Sequence, residues 1–152
     1  FDAAVFLNSF HHVPVDVMDA ALIEVARVVT PGAKIIIVEP LAAGTFFAAL
    51  RPIEDETEIR AAAQAAIARA VSAGRLQEAS RHDIIRRDAF PTIEPFLQRV
   101  IDADEDRRPV IVAKRTEIEA AFTAAAERDG NGAYKLEQPI RAFILRKGQD
   151  SP

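Results

Sequence analysis

The first forty residues constrain the fold of this chain more than anything that follows. Phe1-Asp2-Ala3-Ala4-Val5-Phe6-Leu7 carries a continuous apolar run and passes straight into the polar turn Asn8-Ser9-Phe10-His11-His12. An unbroken run of this kind predicts a strand over about 2–8 that is covered on both faces of a parallel sheet. Asp16 stands where a helix cap is needed, and Val17, Ala21, Leu22, Val25, Val28 and Val29 follow at helical spacing, predicting a helix over 16–29. Pro31-Gly32 stops it, and Lys34-Ile35-Ile36-Ile37-Val38 is a second β-branched strand. Strand, helix and strand at this spacing make a parallel, right-handed βαβ unit. A chain that opens on such a strand is expected to be the back half of a larger α/β domain.

Beyond this unit the pattern turns helical. Thr45–Leu50 reads as a short helix and Asp55–Ala73 as a long one closed by Gly74, with an extended stretch over Arg81–Asp88. Thr92–Asp102 and Pro109–Arg128 read as two more helices, the second starting on a first-turn proline. After the turn Asp129-Gly130-Asn131-Gly132, Ala133–Leu136 and Ile140–Arg146 read as extended, and Pro139 is expected to interrupt them. Residues 1–148 therefore form one domain with a helical insertion at about 43–128, and 149–152 a tail.

Composition closes off several classes. The 152 residues carry a net charge of −4, and the bases Arg81, Arg86 and Arg87 are interleaved with Asp83 and Asp88. This is not a nucleic-acid footprint. There is no cysteine, hence no disulfide framework and no thiolate chemistry. No apolar run approaches the ~20 residues a membrane helix needs, so a cytoplasmic protein without membrane partners is expected. The three histidines, His11, His12 and His82, lack metal-ligand spacing, and His82 among charged neighbours reads as a surface residue.

In open parallel sheets, ligands bind beyond the carboxyl ends of the strands. Both strands deliver polar residues there: Asn8, Ser9, Phe10, His11 and His12 after the first, Glu39-Pro40 after the second. Turn formation alone accounts for Asn and Ser, so a ligand role competes with a structural one.

The run Phe1-Asp2-Ala3-Ala4-Val5-Phe6-Leu7-Asn8-Ser9-Phe10-His11-His12-Val13, followed at helix length by Glu24-Val25-Ala26-Arg27-Val28-Val29-Thr30-Pro31-Gly32 and by Ile35-Ile36-Ile37-Val38-Glu39-Pro40, resembles class I S-adenosylmethionine-dependent methyltransferases. The likeness is to the small-molecule branch of ubiquinone- and menaquinone-biosynthesis type. It covers about residues 1–41, where it matches that family's fourth strand, fourth helix and fifth strand. The resemblance implies the C-terminal half of a Rossmann-like, doubly wound sheet, with Ile140–Arg146 as its last, antiparallel strand. It implies S-adenosylmethionine as cofactor and a small-molecule methyl acceptor as partner. By the same resemblance Asn8, Ser9 and Phe10 line the methionine end of the cofactor. His11 and His12 face the substrate as candidate proton acceptors, only one of them into the pocket. Glu39 is a candidate ligand for a substrate amine or hydroxyl, or a helix cap. Phe46, Phe47 and Arg51 follow the fifth strand, where that family often covers its substrate, although core packing explains them equally.

The six glycines at 32, 44, 74, 130, 132 and 148 include no counterpart of that family's glycine-rich loop, and its ribose-binding acid has no counterpart in this sequence either. The resemblance thus implies a methyltransferase that is active when completed by an N-terminal half, with this chain alone binding the cofactor poorly. Pairing with that half, or homodimerisation, is expected at the open side of the first strand. A non-catalytic assembly module, and a doubly wound enzyme of another cofactor class, are the alternatives.

Overall fold

The computed structural model describes residues 1–148; the tail expected at 149–152 lies outside them. The chain divides into two compact units.

The first comprises residues 1–41, 57–84 and 140–148. Strand β1 (Ala3–Leu7) pairs parallel with β2 (Lys34–Pro40), placing Val5 opposite Ile36 and Leu7 opposite Val38. Helix α1 (Met18–Val28) connects them. The βαβ expectation therefore holds, with one change at the helix entry. Asp16 lies in a 3₁₀ turn, Val15–Val17, and Val17 takes the cap position with no side-chain hydrogen bond. Extended Val29 ends the helix.

Strand β3 (Leu76–Phe90) and strand β5 (Tyr134–Lys147) complete the order β1-β2-β5-β3. As expected, 140–146 lies antiparallel to β2, from Pro40 opposite Ile140 to Lys34 opposite Arg146. The expected break at Pro139 is absent, and one strand runs through it. The reason lies in the register: β2 ends opposite Ile140, so no β2 residue stands opposite Pro139 to require its missing N–H.

Helix α3 (Thr57–Ser72) and α1 share one core with the sheet, formed by Phe10, Met18, Leu22, Ile35, Ile37, Ala63, Ala66, Ile67, Phe143 and Leu145. Alanines at 63, 66 and 70 give α3 its small-residue contact face. The parallel-sheet expectation of cover on both faces fails at β1. The row Ala4–Ile35–Leu145 belongs to this core, whereas on the other face Val5 is 61% and Leu7 65% exposed.

The second unit comprises residues 42–56 and 85–139. It holds helix α2 (Thr45–Leu50), α4 (Glu94–Ala103), α5 (Arg108–Ala113), α6 (Arg115–Ala125) and the short strand β4 (Glu127–Arg128), which pairs antiparallel with the start of β5. The single helix expected over 109–128 is two, because Lys114 leaves the helical region at φ −111°, ψ 20°. Phe46, Phe90, Phe96 and Phe122 form the centre of this unit, with Phe96 ring centroids 5.2–5.8 Å from the other three. Such edge-on and tilted aromatic pairs add to plain burial. Arg107 ties the helices to the segment before α3: its guanidinium meets Glu54 at 2.7 Å and Glu56 at 2.9 Å.

Candidate functional site

The carboxyl ends of β1 and β2 meet in a polar cluster. At the end of β1 the backbone turns through Asn8, at φ 50° the one described non-glycine residue in the left-handed region. An asparagine tolerates this better than most residues, yet it remains a conformation that surrounding structure must hold. The backbone N–H of Asn8 donates to Val38 O at 2.8 Å, and a 3₁₀ turn over Phe10–His12 follows.

Glu39 holds this turn from below. Its Oε1 accepts the backbone N–H groups of Ser9 at 3.1 Å and Phe10 at 2.7 Å. Its Oε2 accepts the N–H of His11 at 3.3 Å and meets His11 Nδ1 in a short contact. A carboxylate offers about four accepting positions, and all four are used within the protein. Glu39 is 1% and His11 3% exposed, so the negative charge is buried but fully hydrogen-bonded. Because a carboxylate accepts only, Nδ1 of His11 is the donor in this contact. His12 lies at the surface with its ring centroid 4.1 Å from that of His11.

The candidate residues thus take unequal places. Asn8 and Ser9 are exposed at the end of β1. Phe10 is fully buried, its ring 5.4 Å from Phe6, so its side chain belongs to the core. Glu39 neither caps the following helix nor offers a free oxygen to a substrate. Phe46 and Phe47 are buried at 7% and 4% exposure in the second unit, and Arg51 pairs with Asp55 at 2.9 Å there. His82 lies exposed on β3 with Ser80 Oγ at 3.2 Å. Sequence reading missed the Glu39 clamp. Its signal was a lone acid ending an apolar strand, at the edge where the neighbouring strand turns.

Neither a family model nor a curated protein sequence matches the chain. Among solved structures it is similar to BH2331 from Bacillus halodurans C-125, a provisionally assigned methyltransferase, at 15% identity and a TM-score of 0.59. The fold is methyltransferase-like. The match takes in 98% of this chain but 65% of that protein, so the chain spans less than two-thirds of its length. YcgJ of Bacillus subtilis is also similar, at 18% identity and a TM-score of 0.46, over 97% of this chain and 65% of that one. Among the described residues no helix is long and apolar enough to cross a membrane.

Proposed function

We propose that this chain forms part of an S-adenosylmethionine-dependent methyltransferase for a small-molecule acceptor. The carrying observation is the polar cluster at the carboxyl ends of the adjacent parallel strands β1 and β2, the edge where open α/β sheets bind ligands. The residues present fit the amino-acid end of such a cofactor. Asn8 and Ser9 offer an amide and a hydroxyl at an exposed, left-handed strand end that is pinned from beneath. The cofactor, when bound, supplies a methyl group already activated on sulfonium, and the protein's share of the work is positioning.

Within this reading Phe10 and Glu39 act behind the site. Glu39 fixes the 9–11 turn and the orientation of the buried His11 ring, so of the two candidate proton acceptors exposed His12 is the one a substrate can reach. Exposed His12 has no such fixed partner.

The test is cofactor binding to a protein in which this chain is accompanied by a strand bearing a glycine-rich loop. Asn8→Gly keeps the left-handed backbone and removes only the side chain, and should weaken S-adenosylmethionine binding about tenfold, roughly 1.4 kcal/mol. His82→Ala should leave it unchanged. Equal effects of the two would remove Asn8 from the cofactor and this reading with it.

One observation favours a second reading, that of an assembly module. The outer side of β1 has no strand partner among the described residues, and Val5 and Leu7 are its most exposed large apolar groups. An open apolar strand is a pairing template whether or not the protein is an enzyme.

A further inference from the structure

The second unit contains a groove that the methyl-transfer reading does not use. It lies between the turn entering α4, one face of α6 and the β4–β5 pair, with a volume of about 450 Å³. That falls within the range of small-molecule sites, roughly 300–1,000 Å³. Its apolar lining comes from Pro91, Ile93 and Phe122, with Tyr134 beside Phe122 at 5.0 Å between ring centroids. Its polar lining is Thr92, Thr123, Glu119 and Arg128.

The two charges of this lining are not equivalent. Glu119 is engaged by Arg115 Nε at 2.5 Å, a guanidinium that Glu94 shares at 2.8 Å. Arg128 stands opposite Tyr134 across the β4–β5 ladder, with its guanidinium 4.0 Å from the ring centroid. Its hydrogen bonds go to the Tyr134 hydroxyl and, at 3.0 Å, to the carbonyl of Gly132. Neither partner is a carboxylate. Two of its five N–H donors are thereby used to fix the planar fork, and among the described residues no carboxylate pairs with the charge.

A fixed guanidinium beside an apolar, aromatic floor is matched by a flat hydrocarbon body bearing a carboxylate, because guanidinium and carboxylate pair through two parallel hydrogen bonds. We infer that this groove binds an aromatic carboxylate, with Arg128 on the carboxylate and Ile93 and Pro91 against the ring.

The test uses 1-naphthoate as probe, 1-naphthamide as its uncharged counterpart and 1-naphthylmethylammonium as its charge-reversed one, titrated calorimetrically into the full chain. Naphthoate should bind saturably and at least tenfold more tightly than the other two. Amide resonances of Thr92, Ile93, Thr123 and Arg128 should move during the titration. Arg128→Gln should weaken naphthoate at least tenfold while leaving naphthamide unchanged, with Arg128→Lys between. Thr123→Trp, a change at an exposed position, should block the groove without touching Arg128. If Arg128 serves only to hold the 128–134 turn, its replacement will lower the melting temperature without altering the naphthoate-to-naphthamide ratio, and the inference fails. It fails equally if naphthoate does not saturate, if naphthamide or the ammonium binds as well, or if the shifted resonances lie elsewhere. None of these outcomes bears on Asn8 or on cofactor binding.

Discussion

Glu39 receives both the backbone N–H and the ring Nδ1 of His11 on one carboxylate oxygen, twenty-eight residues away in sequence. The contact fastens the end of β2 to the turn leaving β1. It places a buried charge where its removal would strand three backbone donors and an imidazole.

Glu39→Gln should therefore be strongly destabilising, because the amide NH₂ replaces an acceptor that faces donors. Breaking a buried pair from one side costs roughly 3–5 kcal/mol, and urea denaturation would measure it. Glu24→Gln, which breaks an exposed pair with Arg27, should leave the midpoint unchanged. A comparable effect from both would mean that the Glu39 cluster is solvated.

Gly44 and Gly74 both lie at positive φ, 87° and 72°, but only the first is crowded. A Cβ at Gly44 would sit 2.4 Å from Pro139 Cδ and 2.5 Å from Glu137 O, whereas one at Gly74 meets nothing within 4 Å. Gly74→Ala should cost about 1–2 kcal/mol, the left-handed penalty alone. Gly44→Ala should cost about 1–3 kcal/mol more, since a proline ring and a backbone carbonyl must shift. Thermal unfolding of the two variants would show the difference.

The open side of β1 should drive association. Val5 and Leu7 on the outer face, beside half-buried Ile36 and Val38, form an apolar stripe next to unpaired backbone groups. Light scattering should find a species larger than a monomer, and the double variant Val5→Lys, Leu7→Lys should return it to one. A monomeric wild-type chain would refute this expectation.

Glu94 gives a pH signature. A side-chain hydrogen bond from Thr92, and then that of Arg115, hold its carboxyl down to about 2. A depressed carboxylate adds stability that is fully present above its unfolded value of 4.5 and is lost as pH falls toward 2. Glu94→Gln should thus lower the melting temperature slightly at pH 7 and not at all near pH 2. The effect should shrink with added salt, because the pair is exposed. A difference that grows on acidification would contradict the assignment.

The sequence by itself determined the parallel pairing of β1 with β2 and the helix between them. Two unbroken apolar runs, a 3.6-residue stripe and a Pro-Gly stop are local signals that need no distant partner to interpret. It also carried the antiparallel last strand, through the resemblance together with the alternation of Ile140, Ala142 and Ile144 against Arg141 and Phe143. The tertiary structure decided what depends on which residue stands opposite. Pro139 lies inside a strand because β2 has already ended beside it. One face of β1 is bare because α1 and α3 both pack on the other, which an apolar run cannot reveal. Phe10 left the candidate site for the core, since a turn residue's direction follows from its backbone angles rather than its neighbours in sequence. Glu39 looked like an open ligand at a strand end and is saturated instead. The donors that fill it come from a segment about thirty residues earlier, and only the register of the two strands brings them together.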